Sequence, residues 1–576
     1  MMKSRTATHA LVAMAATMLS SAAVQAADVT YERLLNPEPQ NWLTVHHDYS
    51  AQRYSVLDSI NSTNVKSLKL LFAVPLGGRS AGESIEATPL VDDGFMYMVD
   101  SWGVVTKIDL RSGTAGKIVW KMDPKLANQD RNRGVALWNN LVISVTGYEG
   151  RVIATDKETG QVVWDKNLTD QADLELTAAP LALKDEILIG GSGADRGLRG
   201  WLAALDPRNG GNVIWKTYSI PAPGEPGSET WKDKVNAYQT GGGSFYGTGA
   251  YDPSNNLTYW GSGNPVPAFD SSFRPGDNLF TSSAIAFNAG SGKITWWHQY
   301  TPNDDRDYDE TGAHVLIDTR INGEDRKIVA HAGRNGFTYS FDRLNGQFLK
   351  ATQTVKTLTW TKGIDPKTGR PVDYDPARDV QLYNEGAATL ADKATRQVCP
   401  SISGGTNFWP VSYSRKTGAL YIPAYEGCGK VTVDTSAHIK GKFFGGNPGT
   451  DGPITSSVSL LDPVTGEVKK RAEFPYPNSS GMLSTAGGLV FTGMLDGTVM
   501  ALDDQTLTEV WRFNVGTGFN APPMTYAVNG KQYIAIASGV CCVRPSGQVS
   551  NSLSGVRRNP ELANQSNATV LYVFGL

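Results

Sequence analysis

"ALDPRNGGNVIWK", residues 204–216, sets the architecture of the whole chain. An apolar run reaches Asp206, a glycine turn follows, and a second run ends at Trp215. Asp and Gly both favour turns: an Asp side chain bonds backbone two residues on, and Gly accepts a positive φ. The same grammar returns in "DLRSGTAGKIVWK" (109–121), "ATDKETGQVVWDK" (154–166), "AFNAGSGKITWWH" (286–298), "SFDRLNGQFLKAT" (340–352), "LLDPVTGEVKKRA" (460–472) and "ALDDQTLTEVWRF" (501–513). Each copy reads as a hairpin. Several lie about fifty residues apart, room for four short strands, and hairpins at such a period indicate propeller blades. A weaker hairpin, "YSRKTGALYIPAYEG" (413–427), lies in the long gap between Asp342 and Asp462 and is counted as the eighth blade. The last strand, "ATVLYVFGL" (568–576), is expected to close the ring against the first blade, with the tryptophans packed between blades. The expected fold is therefore all-β, an eight-bladed β-propeller with Trp-containing blade repeats.

Composition agrees with a turn-rich β-protein: 61 of 576 residues are Gly and only 19% are charged. With 53 basic and 56 acidic residues the net charge is −3, a balance that argues neither for nucleic acid nor for a membrane surface as partner. The start, "MMKSRTATHALVAMAATMLSSAAVQA", has Lys3 and Arg5 before a short apolar stretch and ends on Val24-Gln25-Ala26. It reads as a secretory signal cut after Ala26, too short in its apolar part to span a bilayer. The expected mature chain is one exported periplasmic domain over 27–576, with no membrane span and a polar, irregular insertion at about 353–400. Four cysteines, Cys399, Cys428, Cys541 and Cys542, suit an oxidising compartment. No C-x-x-C-H is present, so no c-type haem is expected on this chain.

Three loops could carry chemistry. "GGSGADRGLRG" (190–200) embeds Asp195 among glycines that let backbone approach a ligand. "YWGSGNPVP" (259–267) sets Asn264 after a strand. "TPNDDRDYDETG" (301–312) crowds Asp304, Asp305, Asp307, Asp309 and Glu310 together. If 307–309 is extended, Asp307 and Asp309 share a face while Tyr308 packs the other way. Asp195, Asn264, Asp307 and Asp309 would then suit one hard cation. On the residues alone, a solvated acidic loop is the simpler alternative, and Asp304, Asp305 and Glu310 are expected to be solvated.

The chain resembles the quinoprotein alcohol dehydrogenases of the methanol/ethanol family over nearly its whole mature length. The resemblance rests on "NWLTVHHDYSAQRYSVLDSIN", "SGADRGLRG", "AYDPSNNLTYWGSGNP", "GRNGFTYSFDRLNG", "GGTNFWPVSYS" and "STAGGLVFTGMLDG". It implies a propeller holding pyrroloquinoline quinone (PQQ) and a Ca²⁺ or lanthanide ion in a central funnel. By motif, it implies PQQ contacts at Glu86, Arg133, Thr177, Ser192, Gly193, Ala194, Ser244, Tyr246, Arg334 and Asn407. It implies metal ligands at Asp195, Asn264, Asp307 and Asp309, with Asp307 as general base and Arg334 beside the reactive carbonyls. Asp309 is similar to the extra carboxylate of lanthanide-dependent relatives.

The sequence also departs from that family. Asp195 stands for the usual Glu, and Tyr246 for the usual Trp under the cofactor. The adjacent cysteine pair before "NRG" is replaced by Ala127-Asn128. Cys541-Cys542 is read instead as a vicinal disulfide over the cofactor. Ser479 stands where many relatives carry a Trp, which implies alcohols larger than methanol. Cys399 and Cys428 match a family disulfide. The expected activity is oxidation of an alcohol, with electrons passed to a soluble cytochrome c or another periplasmic acceptor. The rival readings are a sugar, polyol or bulky secondary-alcohol dehydrogenase with the same cofactor, and a non-catalytic propeller scaffold. The oligomeric state stays open.

Overall fold

The repeated Asp–Gly phrase forms the same hairpin in copy after copy. Asp156 Oδ1 accepts the backbone N–H of Glu158 (3.0 Å) and of Thr159 (2.7 Å). Asp206, Asp342, Asp462 and Asp503 cap their own turns in the same way. The tryptophan that ends one hairpin then docks on the turn of the next. Trp120 Nε1 donates to Lys157 O (3.2 Å), Trp164 Nε1 to Pro207 O (3.0 Å), Trp215 Nε1 to Ala289 O (2.7 Å) and Trp296 Nε1 to Arg343 O (2.9 Å). The ring lies on the turn glycine, where a Cβ would collide: one at Gly160 would sit 2.8 Å from Trp120. The tryptophans thus join sheets: Trp120, Trp164 and Trp215 are half-buried, whereas Trp296 is buried in the core.

The structure is a computed structural model that describes residues 27–80, 82–384, 389, 394–434, 445–540, 562 and 565–576. Among these, the strands form eight sheets of four or five strands, mostly antiparallel meanders. A typical sheet runs 181–182, 187–191, 201–206 and 212–218, and the next runs 250–252, 257–261, 283–288 and 294–299. The middle strands are buried throughout, and the outermost are largely exposed. The helical content beyond single 3₁₀ turns is one short helix, Tyr31–Leu35, among the described residues.

Two expectations need correction. The 413–427 hairpin is not a separate blade: strand 419–433 pairs with 446–461, so it belongs to the sheet that contains the 460–472 turn. The remaining sheet comes from the two ends of the described chain. Strand Lys69–Pro75 pairs antiparallel with Val570–Gly575, which pairs with Lys531–Ala537. Its fourth strand arrives from the N-terminal side, so no outer hairpin exists there to show in the sequence. Closure against an N-terminal strand occurs, but that strand completes the terminal sheet.

Among the described residues, 354–394 hold no regular strand, yet Trp360 and Tyr383 are buried there. They lie on the acidic loop: Tyr383 OH donates to Pro302 O (2.7 Å), and Gln381 N to Asn303 Oδ1 (3.0 Å). Cys399 and Cys428 form a disulfide with Cα atoms 4.5 Å apart, linking strand 395–398 to strand 419–433. Ala26, Cys541 and Cys542 lie outside the described residues.

Candidate active site

In an antiparallel pair, the start of the first strand and the end of the second lie on one edge. The candidate residues occupy those two kinds of loop. Glu86, Arg133, Thr177, Tyr246 and Asp307 each precede the first strand of a sheet, and Asn407 precedes strand 412–414. Asp195, Asn264 and Arg334 each follow a second strand. The topology therefore gathers them on one face. They line one cavity of about 330 Å³ together with Ser192, Gly193, Ala194, Ser244 and Asp309.

The acidic loop is the centre of it. Asp307 has φ +62°, so 307–309 is not the extended run expected from the sequence. The outcome is nevertheless shared: Tyr308 is buried and donates to Pro400 O (2.7 Å), while both aspartates meet Arg334. Arg334 Nη2 lies 3.2 Å from Asp307 Oδ2, and Nη1 pairs with Asp309 Oδ2. Asp309 also accepts from Tyr246 OH (2.8 Å) and Asn264 N (2.9 Å). Burial pushes the Asp307 carboxyl well up; Arg334 opposes this and Asp309 adds to it. Burial also works against the Arg334 charge, but Asp307 and Asp309 outweigh it and raise its pKa. Asp195 opens onto the cavity yet is surrounded by protein, so burial and then Asp309 push it up to about 6.

Asp304, Asp305 and Glu310 are not solvated: their exposures are 0%, 2% and 0%. Asp304 Oδ2 accepts Tyr308 N (2.9 Å), and Asp305 pairs with Arg306 and accepts Thr389 Oγ1 (2.6 Å). Glu310 meets His331 Nε2 (2.9 Å) and Arg334 N (2.9 Å). Gln381, Tyr383 and Thr389 pack on this loop, which is buried where the acid count suggested water.

On the other side, Arg133 pairs with Glu86 (3.0 Å), donates to Thr177 Oγ1 (3.0 Å) and lies 4.9 Å over the Tyr246 ring. Thr177 Oγ1 is 3.2 Å from Ser192 Oγ, and Ala194 N donates to Ser244 Oγ (3.1 Å). Asn407 Nδ2 donates to Ser403 O (3.0 Å). Arg133 Nε is buried with no hydrogen-bond partner among the described residues. An orphaned donor at the cavity, with four arginines (131, 133, 196 and 334) lining it, suits a flat polycarboxylate such as PQQ. The oxygen donors of Asp195, Asn264, Asp307 and Asp309 suit a hard cation by type. Among the described residues no three acidic, His or Cys side chains close around a single point. Arg334 supplies the positive charge to two of them.

Arg131, Glu175, Arg196 and Phe408 also line the cavity and were not anticipated. Arg131 and Phe408 had a signal, two residues before Arg133 and next to Asn407. Glu175 and Arg196, an ion pair, had none beyond their loops. Ser479 does not line the cavity; its hydroxyl donates to Asn520 Oδ1 (2.8 Å).

Comparison with known proteins agrees with this geometry. The profile of the family described as "Glucose/ethanol/alcohol dehydrogenase, beta-propeller domain" matches residues 42–359 and 457–534. The quinoprotein alcohol dehydrogenase PedH of Pseudomonas putida is 34% identical over 91% of this chain and 90% of its own. The quinohemoprotein alcohol dehydrogenase of Comamonas testosteroni is 34% identical over 90% of this chain and 75% of its own. Among solved structures, a europium-containing methanol dehydrogenase superposes with TM-score 0.85 at 28% identity, covering 95% of this chain and all of its own.

Proposed function

The chain belongs to the family of PQQ-dependent quinoprotein alcohol dehydrogenases, and on that basis we propose that it oxidises alcohols larger than methanol in the periplasm and passes electrons to a separate cytochrome c. It is an oxidoreductase of the alcohol-oxidising PQQ family, with a β-propeller fold. The eight sheets are read as eight blades of one domain over residues 27–576, after removal of a signal ending at Ala26.

The observation that carries the reading is the convergence of Asp195, Asn264, Asp307, Asp309 and Arg334 on one cavity from three different sheets. When bound, PQQ supplies the two-electron acceptor for the hydride of the alcohol carbon. Glu86, Arg133, Thr177, Ser192, Gly193, Ala194, Ser244, Tyr246 and Asn407 are the residues that would hold it. Asp307 takes the substrate hydroxyl proton as general base. Arg334 holds Asp307 in place and presents a positive charge where negative charge develops. Asp195, Asn264, Asp307 and Asp309 would hold a Ca²⁺ or lanthanide ion. The added carboxylate of Asp309 favours a trivalent ion, in keeping with the europium-containing neighbour. Ser479 lies outside the cavity lining, so the reading of larger alcohols rests on the family resemblance at that position, and polyols and bulky secondary alcohols are the second reading.

The test is reconstitution. Apoprotein is given PQQ with Ca²⁺ or La³⁺, and dye reduction is followed over a panel of alcohols. Turnover is expected to need PQQ and to fall by at least about 10²-fold in Asp307→Asn. No PQQ binding under either ion would overturn the reading and leave a scaffold.

A further inference from the structure

Glu310 is fully buried directly after Asp309, and the reaction just described assigns it nothing. Its carboxylate reaches across to the next loop. Oε2 accepts Arg334 N (2.9 Å), Oε1 accepts Asn335 N (3.4 Å), and His331 Nε2 lies 2.9 Å from Oε2. Its own N–H donates to Ser262 O (3.1 Å), two residues before Asn264. One residue therefore ties together the loops that carry Asn264, Asp309 and Arg334. The approach depends on Gly333, where a Cβ would come 2.9 Å from Glu310 Oε2. Behind it, the His331 ring stacks at 4.2 Å on His314, which meets Tyr300 OH at 3.2 Å.

Arg334 must serve two aspartates at once. Its side chain is long and rich in rotamers, so the direction of the guanidinium depends on where its Cα is held. Glu310 fixes the backbone end, and Ile402 O, 2.8 Å from Nε, fixes the side chain partway along. We propose that Glu310 is a positioning residue, clasping the 333–335 turn so that Arg334 meets Asp307 and Asp309 together. It touches no reacting atom. The inference rests on the alcohol dehydrogenase reading and adds to it the residue that aligns the cation with the base.

The test compares Glu310→Ala, Glu310→Gln and Glu310→Asp with wild type, reading PQQ affinity by fluorescence quenching beside kcat and KM. A displacement of about 1 Å in such a site costs about 10²-fold in rate. Glu310→Ala is therefore expected to lower kcat by about 10- to 100-fold while KM and PQQ affinity stay within about threefold. Glu310→Gln keeps an oxygen for Arg334 N and is expected to recover most of kcat. If Glu310→Ala does not fold, Glu310→Asp serves: its shorter carboxylate withdraws from Arg334 N, and the same fall in kcat is expected. A kcat within about threefold of wild type in either folded variant overturns the proposal. So does an equal, joint loss of kcat and PQQ affinity in the Ala and Gln variants, which marks a structural role only. Wild-type protein that fails to bind PQQ removes the enzymatic reading and this inference with it, and shows itself before any variant is compared.

Discussion

Asp309 is held from three directions, by Tyr246 OH, Asn264 N and Arg334, each from a different loop. That arrangement gives Tyr246 a use beyond its ring. Where the family resemblance implies a tryptophan, the tyrosine still offers a flat face, and it also donates a hydrogen bond to a proposed metal ligand. Groups in that outer position typically contribute 10- to 100-fold to metal affinity. Tyr246→Phe keeps the face and removes the donor. It is expected to weaken La³⁺ or Ca²⁺ binding about tenfold, read as a smaller metal-induced rise in Tm. A metal response equal to wild type would show that the hydroxyl does not orient Asp309.

At the scale of the element, the hairpin and its neighbour's tryptophan act as one unit, since the turn glycine is both a backbone necessity and a seat for the ring. Two glycines separate these contributions. Gly160 has φ +75° and lies under Trp120, whereas Gly210 has φ +62° and open space, with nothing within 4 Å of where a Cβ would sit. Gly210→Ala should cost only the left-handed strain, about 1–2 kcal/mol. Gly160→Ala should cost that and about 1 kcal/mol or more besides, for displacing the indole. Urea unfolding of the two variants measures the difference, and equal costs would show that the ring is free to move aside. The 353–394 segment is the opposite kind of element. Among its described residues, 354–394 hold no strand or helix, and they contact the acidic loop, with Thr389 on Asp305 and Tyr383 on Pro302.

Across the molecule as a whole, the N-terminal stretch is drawn into the body of the fold. Arg53 is buried and reaches Val45 O, Met482 O and Pro523 O, bridging sheets far apart in sequence. His46 and His47 are buried beside it. Burial, then the Arg53 charge, pushes His46 down to about 3, and burial, then Arg415, does the same to His47. In the unfolded chain each has an ordinary pKa of about 6.5. Between those values the unfolded state binds more protons, so stability is full above about 6.5 and falls as pH drops toward 3. Tm is expected to fall steeply from pH 6.5 to 4, and less steeply in a His46→Gln/His47→Gln variant. An identical slope in that variant would assign the acid sensitivity to other groups.

The repeating hairpin is legible along the chain because its causes lie within thirteen residues: an Asp that caps a turn, a Gly that permits it, a Trp at a fixed distance. The same local reading puts Asp195, Asn264, Asp307 and Arg334 in loops at strand ends, which the antiparallel order then gathers. What the chain does not announce depends on distant partners. The terminal sheet joins residues 69–75 to 570–575, and no local pattern signals such a pairing. Asp304, Asp305 and Glu310 read as solvated because charge usually seeks water. Only the folded molecule buries them, by bringing Thr389 from 84 residues away and His331 from 21 residues away to supply the partners that water would have been. Turn chemistry is local and can be read along the chain, whereas desolvation is set by whatever packs on top.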